Sequence, residues 1–164
     1  VLGTNPTIVD SDGNTPLHIA VLSHCDTNTF EYVVRKGYAI NQRNGDGLSA
    51  LVLALQEEKS DYAHILLANG ADPFSHNSVG ETAVALAAKQ HDSAVLQSMV
   101  KYNKHKTDVH GNTILHIAAQ YANAEEIRLL LERGLDKLQR NVSNETAADV
   151  AVRWNRVDIA ELLR

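Results

Sequence analysis

The sequence predicts an all-α solenoid in which pairs of antiparallel helices stack on one another and hairpin-like β-turns protrude. A six-residue motif that begins with Ser or Thr and ends with Ala occurs five times, and a Gly or Asn stands two residues before each copy. A second motif has two apolar residues, two polar residues and then Gly or Asn, and it occurs four times in register with the first. Two marker series that share one period over 164 residues indicate internal repeats.

The first series marks the turn and the first helix of every repeat. Its Gly or Asn markers are spaced by 34, 33, 31 and 33 residues: Gly13, Gly47, Gly80, Gly111 and Asn144. The Ser or Thr after the marker can accept a hydrogen bond from the first helical turn, and Pro16 suits the first helical position. Three residues before each marker stands an Asp or Asn, the type whose side chain closes a tight turn: Asp10, Asn44, Asn77, Asp108 and Asn141.

The second series marks the end of the second helix. Its markers lie 23 or 24 residues after the first-series markers: Gly37, Gly70, Asn103 and Gly134. Gly or Asn suits the left-handed residue that ends a helix. The spacing also predicts one extra residue in the link around His24–Asn28 and a turn two residues short between Asn103 and Gly111. Because neither helix can bury its apolar stripe alone, neighbouring repeats must stack.

The motif reads Thr15-Pro16-Leu17-His18-Ile19-Ala20 in the first copy and Thr113-Ile114-Leu115-His116-Ile117-Ala118 in the fourth. With these residues the sequence resembles the ankyrin-repeat family over its whole length. The resemblance implies that His18 and His116 tie the inner helix to backbone near the adjoining turn. It also implies one ankyrin-repeat domain over residues 1–164, with the tail of a preceding repeat and five further repeats: 1–6, 7–39, 40–72, 73–105, 106–136 and 137–164.

The two ends of the chain keep this register. Gly3 precedes Gly13 by ten residues, and Leu162-Leu163-Arg164 stops two residues before the next expected Gly. We therefore expect the chain to be a piece of a longer array.

Composition excludes several classes of function. The net charge of −5 argues against nucleic acid as a partner, and no apolar run approaches the roughly 20 residues that span a bilayer. A single cysteine, Cys25, excludes a disulfide framework and favours a reducing, intracellular location, the cytoplasm or alternatively the nucleus. The charge is uneven, since residues 1–82 hold ten acidic and four basic residues whereas residues 83–164 hold ten and eleven.

The sequence offers no constellation for catalysis or metal binding. No two of the eight histidines stand at i, i+4 on a helix with a third ligand nearby, so we expect neither a metal nor a cofactor. His24 and Cys25 are adjacent and so rarely face each other productively, and the cysteine is expected to pack. Glu57-Glu58 and Glu125-Glu126 suit a solvated face or a first helical turn. We therefore expect the chain not to be an enzyme.

The resemblance implies binding of a protein or peptide along the concave face formed by the turns and inner helices. The family's contact positions fall, in repeats one and two, on Ser11, Asp12, Asn14, Leu22, Ser23, Gly45, Asp46, Leu48, Gln56 and Glu57. In repeats four and five, apolar, aromatic, histidine and arginine side chains are the stronger candidates for partner binding: Val109, His110, Tyr121, Val142, Arg153 and Trp154. The alternative for Trp154 is that it covers the end of the stack or packs on a missing sixth repeat. A separate alternative for the whole region is a structural spacer or scaffold segment of a larger protein whose activity lies in another domain. As an isolated module we expect a monomer.

Overall fold

The computed structural model describes residues 8–164, and the helices in that part confirm the predicted all-α class. The only β structure among the described residues is two isolated bridges, Arg43 with Ser49 and His76 with Thr82. The predicted tail of a preceding repeat, residues 1–6, lies outside the described residues. The helices are α1 Pro16–Leu22, α2 Thr27–Arg35, α3 Ala50–Gln56, α4 Ser60–Ala68, α5 Ala83–Lys89, α6 Ser93–Asn103, α7 Ile114–Tyr121, α8 Ala124–Glu132, α9 Ala147–Arg153 and α10 Val157–Leu163.

Every predicted repeat contains one pair of helices, an inner helix that follows the turn and an outer helix that follows a short link. The inner helices are α1, α3, α5, α7 and α9. The link in repeat one is Ser23–Asp26, which is one residue longer than the three-residue links of repeats two, three and five. The predicted extra residue is therefore confirmed.

The chain divides into two compact units, Val1–Ala83 and Val84–Arg164. In the first unit α1 packs against α2 and α3, and α4 packs against α2 and α3. In the second unit α7 packs against α8 and α9, while α8 and α9 both pack against α10 and α8 also packs against α6. Each core is built from fully buried side chains of successive helix pairs, so a pair completes its core only against a neighbouring pair. The largest of these side chains are, in the first unit, Leu17, Phe30, Leu51, Leu55, Leu66 and Leu67 and, in the second unit, Leu96, Met99, Ile114, Leu115, Ile127 and Leu130.

One Asp or Asn side chain closes the turn that precedes each inner helix. Its Oδ1 accepts the amides two and four residues further on, at 2.9 Å for both in the turn of Asp10 and at 3.0 Å for both in the turn of Asn141. Asn44, Asn77 and Asp108 make the same two bonds. The five first-series markers have φ between 61° and 85°, so the predicted turn is confirmed in every repeat.

The two signature histidines connect neighbouring repeats. His18 Nδ1 accepts the Thr15 amide at 3.2 Å, which leaves Nε2 to donate to the Leu48 carbonyl at 2.8 Å. His116 Nδ1 accepts the Thr113 amide at 3.2 Å, and its Nε2 donates to the Glu145 carbonyl at 3.0 Å. The implied role is confirmed. Burial lowers the pKa of both imidazoles.

The structure contradicts the expectation that Asn103 ends its helix in the left-handed conformation. Asn103 is the last residue of α6, is buried, and is followed by Lys104 with φ of −48°. The link to the next repeat is short, and α6 extends over 11 residues where the other outer helices have nine or fewer. The other markers of the series, Gly37, Gly70 and Gly134, do have positive φ.

The Glu125-Glu126 pair occupies one of the two positions expected for it, a first helical turn. Both residues lie in the first turn of α8, as expected, but Glu126 is 2% exposed and is not on a solvated face. Its carboxylate accepts the Asn123 amide at 2.8 Å and lies 3.1 Å from His91 Nδ1. The buried carboxylate therefore has partners for its charge.

Candidate partner-binding surface

The six candidate residues lie in the second unit, on two kinds of element. Val109 and His110 are in the turn before α7, and Val142 is in the turn before α9. Tyr121 ends α7, and Arg153 and Trp154 are the last residue and the C-cap of α9. The exposed fraction is 90% for Val109, 73% for Val142 and 47% for Trp154. We call these six residues the unit-two face.

The ends of three successive inner helices meet around Tyr121. The rings of Tyr121 and Trp154 are 5.6 Å apart in an edge-to-face arrangement at 60°. Lys89 at the end of α5 places Nζ 4.7 Å from the centroid of the Tyr121 ring. Lys89 was not among the candidates selected from the sequence, although it stands nine residues after its marker Gly80, next to the position that Tyr121 and Trp154 occupy ten residues after theirs. We call Lys89, Tyr121 and Trp154 the aromatic row.

The two turns that carry the exposed valines contact each other directly. The Val142 amide donates to the His110 carbonyl at 2.9 Å, and Asn141 Nδ2 donates to Asn112 Oδ1 at 2.8 Å. A Cβ on Gly111 would lie 3.1 Å from the Val142 nitrogen, so glycine permits this close approach. Adjacent turns therefore present Val109 and Val142 from one rigid base.

Arg153 links the last turn to the end of α9. Its Nη2 is 3.2 Å from Glu145 Oε2, and the same oxygen accepts Asn141 Nδ2 at 3.2 Å. The Arg153 side chain is 60% exposed, so this pair adds little to stability but orients the side chain. Trp154 contacts Tyr121 at the end of α7, the inner helix of the preceding repeat. This contact exists whether or not Trp154 also covers the end of the stack.

A cleft of about 550 Å³ in the first unit collects contact positions predicted for repeats one and two. Leu22 is 43% exposed at one side, whereas Leu53 is buried. The lining residues are Ser11, Asp12, Gly13, Asn14, Leu22, Asn44, Gly45, Asp46, Leu48 and Leu53. The acidic residues at this end of the chain were predictable from the sequence, whereas the cavity between them was not.

Cys25 is part of a packing arrangement around Tyr62. The Tyr62 hydroxyl donates to the Cys25 carbonyl, and the Tyr62 ring stacks on Phe30 with centroids 4.0 Å apart. Cys25 Sγ donates to the Ala20 carbonyl at 3.5 Å. Burial raises the pKa of Tyr62 to about 12, so the phenol stays protonated and keeps donating. The contacts of the cysteine fit the expected packing role.

Among residues 8–164, no three His, Cys, Asp or Glu side chains form a group able to hold a metal ion. None of the helices described here has the length and apolar character needed to cross a membrane.

The comparisons with known proteins agree with this architecture. A family model for ankyrin repeats matches in three copies, at residues 1–77, 61–141 and 83–164. The chain is 30% identical over 141 residues to the B-cell lymphoma 3 protein homolog of Mus musculus, covering 79% of the chain and 31% of that protein. It is 27% identical over 188 residues to the transient receptor potential cation channel subfamily A member 1 homolog of Caenorhabditis elegans, covering 93% and 15%.

A solved structure supports the same fold. A chain in the complex of a predatory endopeptidase from Bdellovibrio bacteriovorus with an immunity protein superposes with a TM-score of 0.69 at 26% identity. The match covers 96% of this chain and 83% of that one. These matches and the helix order confirm the predicted fold class, an all-α repeat solenoid. The chain spans only 10% to 31% of the length of the first curated relatives it matches.

Proposed function

The chain belongs to the ankyrin-repeat family, and we propose that it is a non-catalytic module that binds a protein or peptide partner through the unit-two face. Modules of this kind generally bind proteins. The observation that carries the proposal is the aromatic row. Tyr121 and Trp154 are held edge to face and Trp154 remains 47% exposed, beside turns with two exposed valines. Rigid, partly exposed aromatic side chains are the commonest anchors of protein interfaces.

The contacts within the unit-two face lower the entropic cost of binding. Tyr121 is restrained by Trp154 and Lys89, and Arg153 is restrained by Glu145. Ordering a flexible side chain at an interface costs about 0.5–1.5 kcal/mol, and a side chain already held in place avoids part of this cost. We therefore propose that Trp154 acts as an anchor for the partner and not as a cover for the end of the stack.

The test starts with capture of a partner from a lysate of the source cells on the immobilised chain. The affinity of that partner is then measured for the wild type and for Trp154→Leu and Tyr121→Leu. We expect each variant to weaken binding by about tenfold or more, since anchor residues contribute about 2 kcal/mol when truncated. Tyr102→Leu is the matched control, because Tyr102 is 44% exposed on outer helix α6 and has Lys101 4.9 Å above its ring.

Thermal unfolding separates loss of a contact from loss of folding. Trp154→Leu removes an edge-to-face pair worth about 0.5–1.5 kcal/mol, so the variant should still unfold cooperatively, a few degrees below the wild type. If the partner binds all three variants as it binds the wild type, the unit-two face is not the interface. In that case a spacer role beside another domain is the better account.

A further inference from the structure

The acidic cleft of the first unit is built from two neighbouring turns that are locked together. The Gly45 amide donates to the Asp12 carbonyl at 2.8 Å. A Cβ on Gly45 would lie 2.4 Å from that carbonyl oxygen, so only glycine allows the approach. The amides of Asp12 and Asp46 are in turn held by the side chains of Asp10 and Asn44, at 2.9 and 3.1 Å. The two turn tips are therefore preorganised.

The charge of the cleft is of one sign. Among the described residues that line it, Asp12 and Asp46 are the only charged ones. Both are exposed, and within residues 8–164 neither carboxylate forms an ion pair or a hydrogen bond. Residues 1–82 as a whole hold ten acidic and four basic residues, so the surrounding field has the same sign. Two unpaired carboxylates on adjacent turns favour a cation between them.

The cleft also has an apolar side. Leu22 is 43% exposed at the end of α1, Leu48 is half-buried, and the buried Leu53 of α3 also lines the cavity. A volume of about 550 Å³ is within the range of ordinary ligand pockets and exceeds what a single small ion needs. The lining therefore combines carboxylates with aliphatic surface.

We propose that this cleft binds a partner segment that presents an arginine or lysine side chain next to an aliphatic one. The inference rests on the proposed function, because it assigns the chemistry of a partner to the same kind of turn and inner-helix surface. The cationic head lies between the Asp12 and Asp46 carboxylates, and the aliphatic side chain lies against Leu22 and Leu48. Arginine fits better than lysine, since its planar guanidinium can donate to two carboxylates at once.

Three capped hexapeptides test this assignment in titrations of the isotopically labelled chain followed by NMR. They are Gly-Arg-Leu-Arg-Leu-Gly, its Glu-Leu counterpart and its Arg-Ser counterpart. The Arg-Leu peptide should shift the amides of Gly13, Gly45 and Leu48. The Glu-Leu peptide should not bind, because it places like charges together. The Arg-Ser peptide should bind at least about fivefold more weakly, because it lacks the apolar contact.

Variants distinguish the cleft from general attraction to an acidic protein. Asp12→Asn with Asp46→Asn should weaken binding of the Arg-Leu peptide by about tenfold, since two close charge pairs are lost. Asp158→Asn with Glu161→Gln on α10 is the matched control with the same change in net charge, and it should leave the affinity within about twofold. Leu22→Ser should weaken binding of the Arg-Leu peptide and leave the affinity for the Arg-Ser peptide unchanged.

Several outcomes would overturn the assignment. One is equal weakening by the two double variants, and another is shifts confined to residues of the unit-two face. Binding of the Glu-Leu peptide with the same affinity as the Arg-Leu peptide would do the same. None of these results touches the proposed function, which fails separately if the captured partner is indifferent to Trp154→Leu. The melting temperature of each variant verifies that it is folded.

Discussion

Replacing His116 by alanine removes one hydrogen bond within repeat four and one that connects repeats four and five. The imidazole is 1% exposed, accepts the Thr113 amide and donates to the Glu145 carbonyl. In the variant the Thr113 amide and the Glu145 carbonyl lose their partner, and leaving a buried polar group without a hydrogen bond costs about 1–3 kcal/mol of stability. A void the size of the imidazole ring also remains. We expect the free energy of unfolding to fall by about 3 kcal/mol.

Urea denaturation followed by circular dichroism measures this loss. For a chain of this size, 3 kcal/mol corresponds to a decrease of about 6–12 °C in melting temperature. His110→Ala is the control, because His110 is exposed in a turn of the same unit and should change the stability by less than about 0.5 kcal/mol. A loss below about 1 kcal/mol in His116→Ala would refute the view that the signature histidine holds the repeats together.

Three further predictions concern pH and the backbone. Burial lowers the pKa of His18 and His116 below 6.5, so the unfolded chain binds protons at a higher pH than the folded chain does. The free energy of unfolding should therefore be full above about pH 6.5 and fall below it by up to about 1.4 kcal/mol per pH unit for each histidine. If the unfolding free energy of His116→Ala fell equally steeply with pH, this prediction would be contradicted. Glu58 has φ of 53°, a left-handed conformation that glycine adopts more easily than glutamate and that valine adopts with more strain. Glu58→Gly should therefore raise the unfolding free energy by about 0.5–1 kcal/mol, and Glu58→Val should lower it. If urea denaturation showed Glu58→Val to be more stable than Glu58→Gly, backbone strain at Glu58 would be excluded. Gly45→Ala should lower the unfolding free energy by about 1–3 kcal/mol, because the added Cβ meets the Asp12 carbonyl. Ser78→Ala, at the equivalent position of repeat three, should be nearly neutral. Equal melting temperatures for the two variants would be inconsistent with the contact between the turns.

Local chemistry made the turns predictable from the sequence. An Asp or Asn at a fixed distance from a Gly or Asn can close only a few kinds of turn, and all five copies have the predicted geometry, including that of Asn144. The same reasoning was wrong for Asn103, because asparagine tolerates the left-handed conformation without requiring it. There the short link leaves α6 free to continue by a further half-turn.

The left-handed residues after the inner helices could not be predicted from residue type. His24, Glu58, His91 and Asn155 have φ between 53° and 57° in links that must reverse the chain between two packed helices. Histidine and asparagine tolerate that region better than most residues but do not require it, and glutamate has no preference for it, so the packing of the helix pair imposes it. The burial of Glu126 depends in the same way on a tertiary partner, the imidazole of His91.

The candidate surface was predictable as a set of positions and not as a set of contacts. Spacing from the markers placed Tyr121 and Trp154 at equivalent positions of successive repeats, but only the structure pairs their rings and adds Lys89. The cleft at Asp12 and Asp46 depends on the approach of two backbones at Gly45, which sequence spacing does not encode.

Hydrogen exchange of the chain with and without its captured partner tests the central claim most directly. The claim is that the partner covers the turns and inner-helix ends of the second unit. The account predicts slower exchange on binding in residues 108–112, 119–123, 141–145 and 152–155, with the outer helices α6, α8 and α10 unchanged. Protection confined to those outer helices, or no protection in the second unit, would contradict the account.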